Sequence, residues 1–250
     1  VKTIGRSKER ILVYGFPGSG KSYQFLKIAQ FVHPSKCYVL DTDGSYERLL
    51  ETEFNGLDNV IIYPVFDREE WAVAVEDILA NAGEDDWVCI DRADVLWDAT
   101  QDYYIQEVFG ESMDEFFLRA RKEMIANKDK KFVPLDGWKD WSIVNKIYRS
   151  LWNKLTRPDV PFHLYIATSA TEIEEKDERL IKRTFSFLGV KPGGQKALSY
   201  GVHTVLYFDY EGDSWRVTTA KDRGRKYLDH QKLVSLPHQY LMAIAGWRRG

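Results

Sequence analysis

The chain has 250 residues, 44% of them hydrophobic and 29% charged, which suits one large domain, or a domain with a small appendage, around a packed core. Its 35 Lys+Arg against 38 Asp+Glu give a formal net charge of −3, so the molecule as a whole does not attract DNA or anionic lipid, and any such binding has to be local. No apolar run approaches membrane-spanning length, the opening VKTIGRSKER holds no signal-peptide apolar region, and the two cysteines, Cys37 and Cys89, sit in apolar strand-like runs; together these predict a cytoplasmic protein with buried thiols, no disulfide or zinc site and no membrane partner.

In chain order, short β-rich runs alternate with helical patterns. RILVYG (10–15) is followed by KSYQFLKIAQFV (21–32), CYVLD (37–41) by SYERLLETEF (45–54), NVIIYPVF (59–66) by EEWAVAVEDILANA (69–82), and WVCID (87–91) closes the series. The alternation predicts βαβ units, a doubly wound α/β fold whose mostly parallel sheet carries helices on both faces, and the continuous apolar strands fit burial on both sides. From 98 to 156 the pattern is helical, through DATQDYYIQEVF, ESMDEFFLRARKEMIA and GWKDWSIVNKIYRSLWNKL, with the lysine-rich loop NKDKKFVPLDG before the last. A strand returns at PFHLYIATS (161–169), then a charged irregular stretch, then VHTVLYFDY and SWRVTTAK joined by EGD as a hairpin. The division expected is a core over 1–228 and a helical tail over 229–250.

The turn GFPGSGKS between the first strand and its helix fits G-x-x-x-x-G-K-[ST] at Gly15, Gly20, Lys21 and Ser22. Glycines let backbone N–H groups approach phosphate oxygens, and the helix adds its positive N-terminal end. Gly15, Pro17, Gly18, Ser19, Gly20, Lys21, Ser22 and Tyr23 are the candidate nucleotide contacts, with Lys21 on the β- and γ-phosphates of ATP and Ser22 on Mg²⁺. A P-loop also needs a metal-holding carboxylate at the end of a neighbouring strand. Asp91, closing WVCI, is that candidate, or else a helix cap; Asp94 reads as a solvated or capping residue. Asp41 and Asp43 end the strand after the P-loop helix, where a carboxylate could orient water against the γ-phosphate or merely shape a turn.

At DTDG followed by ERL the sequence resembles the RecA/RadA recombinase core. The resemblance implies a RecA-like P-loop ATPase with Asp43 as catalytic base, where that family usually carries the longer Glu. PFHLYIATSATEI resembles the strand bearing a polar sensor at its tip, placing Ser169 or Thr168 there; Ser169-Ala170 stands where recombinases commonly have Asn-Gln. KPGGQKALSYGVHTVLYF resembles the run after a mobile DNA-binding loop. VTTAKDRGRK is similar to the K-x-R-G run of KaiC-like and DnaB-like ATPases, which implies that Lys221 and Arg223 reach a neighbouring subunit's γ-phosphate in a homo-oligomeric ring or filament. Being little more than an ATPase core, the sequence resembles phage-encoded RecA-core proteins of single-strand annealing and recombination. The function implied is a Mg²⁺-dependent ATPase acting on single-stranded DNA in recombination, annealing or repair in a bacterial or phage-infected cell. A ring-forming helicase or DNA-packaging motor, and a KaiC-like nucleotide-gated switch, are the alternatives.

Two basic stretches are candidate DNA contacts. RARKEMIANKDKK offers Arg119, Arg121, Lys122, Lys128, Lys130 and Lys131, or is a solvated helix end. In LIKRTFSFLGVK, Lys182, Arg183 and Lys191 flank Phe185 and Phe187; basic groups track phosphates while exposed aromatics stack on unpaired bases, unless the two Phe are core. The preceding EIEEKDER would repel DNA. Trp138 and Trp141 share helical spacing with Ile143, Ile147 and Leu151 and read as core.

Overall fold

The computed structural model describes residues 8–126, 135, 139–212, 214–223, 232–234 and 238. The central strands are β1 (Arg10–Gly15), β2 (Cys37–Asp41), β3 (Val60–Pro64), β4 (Trp87–Asp91) and β5 (His163–Glu172), joined by α1 (Lys21–Val32), α2 (Ser45–Thr52) and α3 (Arg68–Asn81). Then come α4 (Ala93–Phe109), α5 (Met113–Ala126) and α6 (Asp140–Thr156) before β5, and α7 (Arg179–Phe185), β6 (Val190–Pro192), β7 (Thr204–Glu211), β8 (Ser214–Asp222) and β9 (Lys232–Val234) after it. Among the described residues the sheet order is β3-β2-β4-β5-β1-β7-β8-β9, with β6 paired to the far end of β5. β1 to β5 and β7 run parallel, while β8 and β9 are antiparallel.

Alternation along β1 shows why two layers of helices are needed. Ile11 and Val13 pack with Phe25, Leu26 and Ile28 of α1 on one face, and Leu12 and Tyr14 pack with Trp71, Tyr148 and Phe185 on the other. Every residue of β2 and of β4 is buried, as the unbroken apolar runs require. Register then does the functional work. Asp41 is level with Asp91 across β2 and β4, and Gly15 is level with Ser169 across β1 and β5. The ends of β1, β2 and β4 therefore meet along one edge beside Ser169 of β5, where a strand-order switch leaves a crevice.

The helical excursion starts earlier than the sequence suggests: α4 opens at Ala93, directly after β4. It has its own small core of Tyr104, Ile105, Phe116, Leu135 and Val144. Trp141 is half-buried and stacks on Trp97 at 6.2 Å, and Ile147 and Leu151 pack inward with it; the core reading is corrected at Ile143, which is exposed, and Trp138 lies outside the described residues. The stretch read as irregular holds α7 and β6, because β5 runs on to Glu172 and offers β6 an antiparallel partner. The wholly helical tail is corrected too: Lys232–Val234 pairs with the outer edge of β8, while 239–250 lies outside the described residues.

Phe185 is 1% exposed and meets Tyr14 edge-on at 5.9 Å. It is a core residue, so the expectation that it stacks on bases is corrected: no face of the ring is open. Phe185→Ala is expected to destabilise the fold by about 3–5 kcal/mol, lowering the melting temperature by roughly 10 °C in a chain of this size. Calorimetry of the variant checks this.

Candidate functional site

At the end of β1 the chain turns through Gly18 at φ 78° and Gly20 at φ 86°, a left-handed conformation that glycine enters without a Cβ penalty. Gly15 cannot carry a side chain either, since a Cβ there would lie 2.4 Å from the Phe208 carbonyl. No side chain caps α1 and its first turn holds no acidic residue, so the positive helix end is left to an anion. Lys21 Nζ donates to the carbonyls of Gly15 at 2.9 Å and Phe16 at 3.2 Å, which holds it across the loop. Burial pulls its pKa down, opposed by Asp91.

Ser22 Oγ donates to Asp91 Oδ2 at 2.7 Å. Asp91 is buried, and burial raises its pKa to about 6 against the donors Ser22 and Tyr46 and with the help of Asp43. A hydroxyl and a carboxylate side by side are hard oxygen ligands of the kind Mg²⁺ takes, and that ion draws its remaining ligands from water and substrate phosphates. The protein's share of a Mg²⁺ site therefore fits Ser22 and Asp91.

The two acids of DTDG divide the work. Asp41 Oδ1 accepts the N–H groups of Asp43 and Gly44, and its Oδ2 accepts that of Tyr46 at 3.4 Å. Asp41 thus builds the turn, and Asp43 rides on it with its own Oδ1 accepting the Ser45 N–H at 3.1 Å. Gly15, Pro17, Gly18, Gly20, Lys21, Ser22, Tyr23, Asp43, Asp91 and Ser169 all line one cleft of about 660 Å³, within the size of a small-ligand site. Ser19 is buried in the loop.

Asp94 is not a solvated residue. It accepts from Arg92 Nη2 at 3.1 Å, Ser169 Oγ at 2.8 Å and Thr168 Oγ1 at 3.2 Å. Burial pushes its pKa up, but the Arg92 and Ser169 donors outweigh that and hold it low. It also backs onto the Gly-Gly turn: a Cβ on Gly194 would lie 2.9 Å from Asp94 Cα, and one on Gly193 2.4 Å from Ser169 Oγ. Ser169 and the loop after β6 therefore touch, and the Gly193 N–H donates to the Ser169 carbonyl at 2.8 Å.

Other candidates lie apart from this cleft. Lys182 and Arg183 stand on α7, with Arg183 exposed. Lys128, Lys130 and Lys131 lie outside the described residues. Lys221 Nζ donates to the carbonyls of Ser199 and Val202, and burial, with Arg223 nearby, lowers its pKa to about 8. It stabilises its own 198–202 turn, while Arg223 is exposed. Sequence reasoning missed Tyr46, Arg92, Arg48 and Trp215. Arg48 and Trp215 line the outer part of the cleft, where Trp215 stacks on Tyr23 at 5.1 Å and crosses Gly20. SYERL and SWRV carry no motif that points to a ligand; only the placement of α2 and the hairpin against the loop does so.

The sequence matches no curated protein. Among solved structures, the chain is similar to the RadB recombinase, with 16% identity, 92% of this chain and 88% of that one covered, and a TM-score of 0.51. It is also similar to the flagellar accessory protein FlaH from Methanocaldococcus jannaschii, with 10% identity, 92% and 85% covered, and a TM-score of 0.40. The first likeness shows a shared fold. The AAA domain family matches residues 7–233. With a P-loop, a strand-end carboxylate beside its serine and this strand order, the chain belongs to the AAA domain family and has a RecA-like P-loop ATPase fold.

Proposed function

We propose that the chain binds ATP with Mg²⁺ in this cleft, hydrolyses it, and acts on single-stranded DNA in recombination, annealing or repair. The observation that carries the reading is the Ser22–Asp91 pair, 2.7 Å apart, beside a P-loop whose lysine and glycines line the same cleft. In this reading the loop N–H groups and Lys21 hold the β- and γ-phosphates, and Ser22 and Asp91 hold the cation, which neutralises charge developing on the phosphates. Asp43 orients the attacking water. Ser169 faces the γ-phosphate. The ribose and base extend toward Tyr23, Arg48 and Trp215. Arg223 of a neighbouring copy completes the site.

The DNA part is supported by the basic face of α7 and by the contacts of the Gly-Gly turn with Asp94 and Ser169. A strand bound near α7 is thereby placed to respond to the nucleotide. One observation favours a second reading, a nucleotide-gated switch that hydrolyses slowly. Asp43 is one methylene shorter than Glu, and one of its oxygens already serves Ser45.

The test compares ATPase rates with and without single-stranded DNA, together with the mass of the protein with and without ATP. DNA is expected to raise the rate and ATP to raise the mass. A rate indifferent to DNA, in a protein that binds ATP, favours the switch. For the contact itself, Lys182→Ala with Arg183→Ala is expected to flatten the slope of log K against log[salt] by roughly 1–1.5, since each phosphate neutralised on a single strand contributes about −0.7. An unchanged affinity and slope in the folded double variant would reject α7.

A further inference from the structure

Tyr46 is fully buried, yet its hydroxyl has a polar task. The oxygen lies 3.0 Å from Asp91 Oδ2 and 3.2 Å from Cys89 Sγ. A phenol has one proton, and a carboxylate is a far better acceptor than a thiol. Tyr46 therefore donates to Asp91, and the Cys89 thiol donates to the Tyr46 oxygen. Ser22 donates to the same Oδ2 at 2.7 Å. Two donors converging on one oxygen restrict how far the Asp91 carboxylate can rotate. At its other end, the Tyr46 N–H is held by Asp41 at 3.4 Å, and Asp41 also holds the N–H of Asp43.

We propose that Tyr46 is a positioning residue: with Cys89 behind it, it orients the Asp91 carboxylate for a divalent cation and ties that carboxylate to the turn carrying Asp43. The proposal rests on the reading of the cleft as an ATP–Mg²⁺ site. Packing alone does not require the hydroxyl, because the ring contact with Phe25, edge-on at 6.3 Å, would be kept by phenylalanine. Outer hydrogen bonds to metal-binding groups typically change metal affinity by 10–100-fold.

The experiment is a calorimetric titration of wild type and Tyr46→Phe with ATP, once in Mg²⁺ and once in EDTA. The readout is the factor by which Mg²⁺ tightens ATP binding. Tyr46→Phe is expected to cut that factor about 10-fold and to leave the EDTA affinity unchanged. A melting temperature lowered with the factor intact would make Tyr46 a packing residue and overturn the proposal. Should Tyr46→Phe not fold, Cys89→Ala takes its place. Loss of the thiol donor is expected to reduce the factor, and an unchanged factor would overturn the proposal. A wild type that binds ATP in neither condition would overturn the nucleotide reading, a result separable from both.

Discussion

Asp43→Asn is expected to bind ATP as tightly as the wild type and to hydrolyse it at least ~10²-fold more slowly, the range seen when a positioned base is lost. Asparagine keeps the shape of the side chain and can still accept the Ser45 N–H at its oxygen, so the turn built by Asp41 should survive. Only the capacity to take a proton from water is removed. Lys21→Ala should behave differently. It removes a phosphate contact present in both ground and transition states, so binding and turnover fall together. The contrast assigns the two residues to different steps, and nucleotide binding measured beside steady-state turnover reads it directly. Turnover unchanged in Asp43→Asn would remove Asp43 from the chemistry. Asp43→Glu probes reach. If the short side chain limits the rate, the added methylene should raise it, because the carboxylate then approaches the cleft without leaving its turn.

Much of this geometry is legible in the sequence because it is local. GFPGSGKS contains its own turn, its own cation and its own helix end. An acid closing an apolar run has to emerge at a strand end, which is why Asp91 could be placed beside Ser22. What the sequence did not disclose depends on distant segments arriving together. Asp94 reads as solvent-facing until β5 brings Thr168 and Ser169 to it and the Gly-Gly turn covers it. Tyr46 carries no signal of its own, since nothing local shows that its hydroxyl meets Asp91. Phe185 lies among basic residues and so resembles a base platform, but the period of α7 turns it inward with Ile181 while Arg183 stays outside. Composition sees the neighbours along the chain, whereas burial is decided by the sheet.

The same distinction between near in sequence and near in space governs Arg223. Its N–H donates to the His203 carbonyl, and the His203 N–H donates to that of Arg10. Arg223 is therefore level with the beginning of β1, and Gly15 with the end, roughly 17 Å away at the rise of a strand. An arginine side chain does not span that distance, so Arg223 cannot serve its own P-loop. It can serve a neighbour's, in a head-to-tail assembly that presents this edge to the next cleft. A cation supplied in this way is worth about 10³–10⁵ in rate in related phosphoryl transfers, so Arg223→Ala is expected to lose at least ~10³-fold in turnover while keeping ATP affinity. Lys221→Ala is expected instead to lower the melting temperature, because its ammonium is engaged by the 198–202 turn. The decisive measurement mixes Arg223→Ala with Lys21→Ala chains. Each is nearly inactive alone, one lacking the donated cation and the other the phosphate grip. In an equal mixture about one interface in four of a head-to-tail ring pairs an intact P-loop with an intact Arg223, and activity should return in that proportion. A mixture shown to co-assemble and still inactive would mean that the site does not draw on its neighbour.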